Sequence, residues 1–394
     1  MANVMVGRRS ADVCNQRIPL RSLDPPYLPL AILRGNLLML FTLTILIVAS
    51  FLVSTSQAAE VAPLEIRRFV AIDNICAWPN LTVLKDGTIV ATIFNQPSHG
   101  SLPGDVECWA SSNGEFWDLR GKPAVHDPET NRMNVAAGLA KNGDLIVLAS
   151  GWSNQQQAGK EKQLPFRDAI LPVWVCRSSD GGRTWQVTRK FPPPAEGMTE
   201  YIPFGDIHVA DDGTLRTTCY AAALDRKQHN AWMFRSDDEG ITWSVHSKIS
   251  DIHNETTSLP LGNNIWLAAA RYRQTDIILS IDDGKTWQAP VSVTQRNQIN
   301  GHLQRLKNGA VLLSYGDRIK DQYGVHACWS SDGGKNWSEP VRLARFTTND
   351  CGYPSSVESP SGEIVTAYYA KSAENHDRYQ MGVAIWKLPA GEKK

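Results

Sequence analysis

Ser178-Ser179-Asp180-Gly181-Gly182-Arg183-Thr184-Trp185 recurs as Ser236-Asp237-Asp238-Glu239-Gly240-Ile241-Thr242-Trp243, as Ser280-Ile281-Asp282-Asp283-Gly284-Lys285-Thr286-Trp287 and as Ser330-Ser331-Asp332-Gly333-Gly334-Lys335-Asn336-Trp337. A shortened copy, Ser111-Ser112-Asn113-Gly114-Glu115-Phe116-Trp117, precedes them. The closing tryptophans stand 68, 58, 44 and 50 residues apart, a period that means stacked supersecondary units rather than two or three unlike domains. Within each copy Asp and Gly supply a tight reversal, Ser and Thr can bond the turn backbone, and Trp caps the strands that follow. The repeated Asp therefore serves folding. It is neither a calcium site nor a catalytic acid, because the copies lie on the outside of every unit.

Between the boxes runs a second signal: LTVLKDGTIVATI (81–93), AAGLAKNGDLIVLA (136–149), IHVADDGTLRTTC (207–219), TTSLPLGNNIWLAAA (256–270), LQRLKNGAVLLSY (303–315) and SSVESPSGEIVTAYY (355–369). Each reads as a strand, a D-G or N-G type turn and another strand. Six hairpins and five boxes, with Trp386 ending the sixth unit, predict an all-β fold, a six-bladed β-propeller of four-stranded blades from about Leu64 to Leu388.

The whole chain has 394 residues, 13 of them Trp, with 40 Lys+Arg against 40 Asp+Glu. Five of those Trp close boxes, so the excess reports the fold. Zero net charge argues against nucleic acid as a partner, which would need a basic excess. That zero sums two unlike parts. Residues 37–53, LLMLFTLTILIVASFLV, carry no charge, follow five arginines and lead into STSQAAE. Basic, apolar and small-residue stretches in that order predict a signal peptide over residues 1–58, cleaved near Ala58 or Ala59, or an uncleaved membrane anchor. Either reading places the domain at 60–394 outside the cytoplasm: secreted or periplasmic, or membrane-attached through residues 37–53. Without residues 1–58 the chain has 35 basic and 38 acidic residues, a net −3. Of the six cysteines left, Cys176 and Cys328 occupy equivalent places before a box and Cys108 nearly so. Equivalent positions in separate repeats are too far apart to bond, so these three read as buried strand residues. No C-x-x-C or paired-His spacing suggests a metal site.

The S-x-D-x-G-x-T-W box resembles the repeat of the sialidase superfamily, carried on a six-bladed propeller, and the likeness spans essentially all of the chain after the leader. The resemblance implies a glycoside hydrolase of the exo-α-sialidase type, acting without a cofactor on terminal acidic sugars of a glycan or polysaccharide. In such retaining enzymes a Tyr attacks the anomeric carbon, a Glu takes its proton, an Asp protonates the leaving group and three Arg hold the sugar carboxylate. A neutral Tyr can approach a carbon bearing a carboxylate where an anion would be repelled, and Arg forks clamp the carboxylate. HNETTSLPLGNNIWLAAAR (253–271) is similar to the family's N-E followed by a hairpin ending in Arg, which makes Glu255 the base and Arg271 a clamp. Tyr353 opens the inner strand of DCGYPSSVESPSGEIVTAYY (350–369), where the family has its nucleophile. Arg318, closing LLSYGDR (312–318), is the second clamp.

Two positions depart from the pattern. The family's first-blade R-I-P is replaced by Ala77-Trp78-Pro79, leaving Arg132 in NRMN as the substitute for the third Arg. The family's acid lies between the first hairpin and the first box, where NQPSHGSLPGDVECW (95–109) offers His99 and Asp105, with Asp105 the expected acid. Asp206, His208, His302 and Asp350 also gather at blade starts as substrate-binding candidates, and strand alternation leaves open which of Asp206 and His208 reaches the cavity. Three functions remain in view: the hydrolase; a uronide-active enzyme or a lyase using His and Tyr as base and acid; and a non-catalytic glycan-binding propeller.

Overall fold

The computed structural model describes residues 64–153, 169–225 and 227–389, all within the compact unit Ala62–Lys394. The segment expected to be a signal peptide or anchor, residues 1–58, lies outside the described residues. The fold is all-β. Strand β1 (Ile66–Asp73) is followed by four-stranded meanders. β2 (Ala77–Val83), β3 (Ile89–Phe94), β4 (Val106–Ser111) and β5 (Asp118–Ala124) make the first. β6 (Asn134–Leu139), β7 (Leu145–Ser153), β8 (Ala169–Ser178) and β9 (Gln186–Thr188) follow, then β10 (Ile202–Val209), β11 (Leu215–Ala222), β12 (His229–Ser236) and β13 (Ser244–Ser250). Next come β14 (Thr256–Gly262), β15 (Ile265–Arg271), β16 (Thr275–Ser280) and β17 (Val291–Ser292), and β18 (Gln298–Arg305), β19 (Val311–Asp317), β20 (Gly324–Ser330) and β21 (Val341–Arg345). The last sheet holds β22 (Cys351–Glu358), β23 (Ile364–Ala370) and β24 (Gln380–Trp386), and takes β1 as its outer strand.

Every hairpin read from the sequence joins the first two strands of a meander. Four of the second strands, among them IVATIF in β3 and IVTAYYA in β23, are buried along their whole length. They are flanked by neighbouring sheets on both faces, which explains their continuous apolar runs. Two outer strands, β9 and β17, are short and exposed, which limits edge-to-edge pairing there. The core is divided into slabs between successive meanders. In one, Val106 and Ala124 meet Val135, Val147, Trp174 and Cys176. Another joins the last meander to the first through Val357, Val365 and Met381 packed with Cys76, Leu81 and Ile93. The second and third meanders also merge by a parallel pairing of β6 with β10 at Ala136–Gly138. Gly138 permits it, because a Cβ there would lie 2.1 Å from the Ile207 carbonyl oxygen.

The boxes link the third strand of a meander to its outer strand. In the first full copy Ser178 Oγ bonds Asp180 at 2.7 Å and accepts the Gly182 N–H at 2.8 Å, while Asp180 accepts from the Thr184 N–H and hydroxyl. Trp185 Nε1 closes the turn on the Gly182 carbonyl at 3.0 Å. The Asp carboxylates are consumed within their own turns, so their role is local folding. Cys76, Cys108, Cys176, Cys219, Cys328 and Cys351 are buried free thiols.

Candidate active site

First strands of the meanders converge on a cavity of about 250 Å³, the small end for a ligand site and room for one sugar unit. Irregular backbone aims their side chains. Register breaks occur at Ala77/Asn80 in β2, Phe204/His208 in β10, Ile299/His302 in β18 and Gly352/Ser355 in β22. Left-handed residues sit in these bulges: Trp78 (φ 46°), Asn300 (φ 59°) and Tyr353 (φ 49°). A bulge re-aims a side chain, and a bulky aromatic at positive φ is strained, a condition that persists where packing over-determines it. Gly352 makes Tyr353's placement possible. With φ 107° it lets β22 approach β19 so closely that an added Cβ would be 3.0 Å from Gly316 Cα.

Tyr353 Oη donates to Glu255 Oε1 at 2.5 Å. The other carboxylate oxygen of Glu255 accepts from Asn300 Nδ2 at 2.5 Å and from Arg271 Nη1, which also reaches Tyr353 Oη at 3.0 Å. Burial alone would raise the Glu255 pKa, but Arg271 and the Tyr353 hydrogen bond carry it below the usual carboxylate range. Burial and the Glu255 charge push Tyr353 well above the ordinary phenol value, against the opposing Arg271 and Arg318. The resting site is thus a neutral phenol donating to a carboxylate, the arrangement of a nucleophile beside its base. Arg318 lies with its guanidinium 5.6 Å from the Tyr353 ring centroid and is fixed by bonds to the Cys351 carbonyl and to Tyr369 Oη.

Glu255, Arg271, Arg318, Tyr353, His99 and His302 all line the cavity. Asp105 and Arg132, expected there from the sequence, do not. Asp105 is buried between β4 and β5, where its carboxylate accepts from Lys122 Nζ at 3.0 Å and from the His126 backbone N–H at 2.9 Å and lies 2.6 Å from His126 Nδ1. Those partners outweigh the upward push of burial and hold it ionised, the wrong state for a general acid. Arg132 is buried with its guanidinium 3.7 Å over the Trp174 ring and bonded to the Pro172 carbonyl. Asp206 stands behind the wall, bonded to the lining residues Asn80 at 2.8 Å and His302 at 3.0 Å, with His208 at 3.8 Å on the same side. Asp350 also lies behind, accepting from Tyr369 and Tyr379 and meeting His99 at 3.2 Å. Among the described residues no group of three or more His, Cys, Asp or Glu side chains is placed to hold a metal.

Sequence reasoning missed Asn300, whose Asn-Gly pair reads as a turn, and the aromatic wall. Ala77 occupies the place of the family's third Arg, and next to it Trp78, stacked at 5.5 Å on Phe94, lines the cavity together with Trp152, Phe204 and Tyr220. Three atoms of lining residues, Trp78 Nε1, Asn80 Oδ1 and Asn134 Oδ1, are buried without a hydrogen-bond partner.

Fold and cavity together define a propeller of the sialidase type. A family model described as a BNR repeat-like domain matches residues 83–365, and the chain belongs to that family, within the sialidase superfamily. The chain is 28% identical over 182 residues to a sialidase of Bacteroides fragilis, a match covering 42% of this chain and 28% of that one. It thus spans little more than a quarter of that relative's length. Among solved structures, a Dyadobacter fermentans protein of unknown function superposes with a TM-score of 0.70 at 22% identity, covering 82% of this chain and 99% of that one. Hadza microbial sialidase Hz136 gives 0.65 at 19% identity, covering 82% and 66%. At these identities the structural likeness establishes the fold.

Proposed function

We propose that this chain is an exported glycoside hydrolase of the sialidase type, a six-bladed propeller that releases terminal acidic sugars from glycans with retention of configuration. The reading rests on Tyr353 donating at 2.5 Å to Glu255 in a cavity that Arg271 and Arg318 also line. Tyr353 Oη attacks the anomeric carbon as its proton passes to Glu255, and the glycosidic bond breaks toward the leaving oxygen. Water then releases the sugar, and the phenolate recovers its proton from Glu255. Arg271 and Arg318 orient the carboxylate of the sugar.

With Ala77 in place of a third Arg, carboxylate binding is weaker by about 1.5–3 kcal/mol, the worth of one charge-assisted bond. An acidic sugar that needs two arginines, such as a uronic acid, therefore belongs beside sialic acid in the test. The purified protein is incubated with sialosides, uronides and acidic polysaccharides, and free sugar is measured. Release that vanishes in Tyr353→Phe supports the reading. Release undiminished in that variant would sink the mechanism, an unsaturated uronide product would mark a lyase, and binding without turnover a lectin-like propeller.

A further inference from the structure

The hydrolase reading needs a proton donor for the leaving oxygen, and Asp105, turned toward Lys122 and His126, cannot fill that role. His99 can. It sits in the loop between β3 and β4, lines the cavity, and keeps 37% of its side chain exposed. Its Nδ1 lies 3.2 Å from Asp350 Oδ1. The Asp350 carboxylate also accepts from Tyr369 Oη at 2.8 Å and from Tyr379 Oη, bonds that overcome the upward push of burial and hold it ionised. An ionised carboxylate only accepts, so Nδ1 carries the hydrogen. Nε2 is left as the working nitrogen, and among the described residues no hydrogen bond engages it. The ring stands edge-on to Trp78 with centroids 4.7 Å apart, and Trp78 lies 6.1 Å from Tyr353. One indole thus abuts both rings.

Other cavity groups are occupied. His302 accepts the Ser356 N–H at Nδ1 (3.2 Å) and meets Asp206 (3.0 Å) and Ser355 (3.3 Å) at Nε2. Glu255 is taken by Tyr353, Arg271 and Asn300.

We propose that His99, oriented by Asp350, is the acid–base residue of the reaction, which rests on the hydrolase reading above. In the first step the glycosidic C–O bond breaks, its electron pair stays on the leaving oxygen, and that oxygen takes the Nε2 proton. In the second, Nε2 removes a proton from water as its oxygen bonds the anomeric carbon and the bond to Tyr353 Oη breaks. His99 is a catalytic residue here and Asp350 a positioning residue.

The test compares one acidic sugar carried on two leaving groups: a natural disaccharide, whose leaving alcohol needs a proton, and the 2,4-dinitrophenyl glycoside, which does not. In His99→Gln, kcat/KM should fall about 10²–10⁴-fold on the disaccharide and by less than about tenfold on the activated glycoside. Asp350→Asn should show the same bias with a smaller loss, a split that damage to packing alone would not produce. Equal losses on both substrates, or none on the disaccharide, overturn the assignment of His99 while the hydrolase reading stands. A wild type that hydrolyses neither substrate overturns both.

Discussion

Tyr353 and Glu255, 98 residues apart, meet through a 2.5 Å hydrogen bond from phenol to carboxylate, and Arg271 touches both. Tyr353→Phe removes the attacking oxygen while Glu255 keeps Arg271 and Asn300. Turnover should fall by about 10³-fold or more with little change in the urea unfolding midpoint. Steady-state rates and equilibrium unfolding of the same preparation check both halves.

Glu255→Gln should act on stability as well as rate. It strips a largely buried Arg271 of its carboxylate, and breaking a buried pair costs about 3–5 kcal/mol. Because the Arg271 side chain keeps 22% exposure, the lower end of that range is expected. A urea titration beside Tyr353→Phe should show the Gln variant alone shifted to a lower midpoint.

Asp105→Asn should leave sugar release unchanged, because its partners are Lys122 and His126. A loss of rate as large as that of Tyr353→Phe, in a protein of unaltered thermal midpoint, would return Asp105 to the catalytic role expected from the sequence.

The substitution Arg318→Met should raise KM for acidic sugars more than it lowers kcat, since the guanidinium is placed to hold the carboxylate. Measured against an uncharged aryl glycoside, the KM change should disappear.

Acid should destabilise the domain in a defined direction. Glu255, Asp350, Asp206 and Asp105 all have folded-state pKa values lowered from the ordinary ones. The unfolded chain therefore takes up protons first as pH falls. Stability is fully present above about pH 5 and is lost progressively below it. Unfolding midpoints across that range should decline, with a shallower decline in Asp350→Asn.

What could be read from the sequence was what local residues determine. A Ser, an Asp, a Gly and a Trp within eight positions make their own bonds, so each box announces its turn. Glu255, Arg271, Arg318 and Tyr353 were singled out by the resemblance of their local motifs to the sialidase superfamily, and all four line the cavity. Asp105 misled because its fate depends on Lys122 and His126, 17 and 21 residues further on. Asn300 was hidden in an Asn-Gly pair, and its left-handed backbone serves Glu255 rather than a hairpin turn. Asp206 and His208 were left undecided between cavity and wall. Both stand behind it, because the bulge at Phe204/His208 breaks the simple alternation of β10.

Strand β1 completes the sheet that begins with β22, which sets an order of assembly. A ribosome delivers β1 first and β24 last, so the earliest strand waits as an unpaired edge while five meanders are made. The nascent chain holds no working cavity in that interval, because Tyr353 belongs to the sheet finished last. A chain interrupted before β22 therefore leaves β1 as an unpaired, sticky edge. The short stretch between β1 and β2 is, by the same geometry, a place where new chain ends leave every described sheet intact.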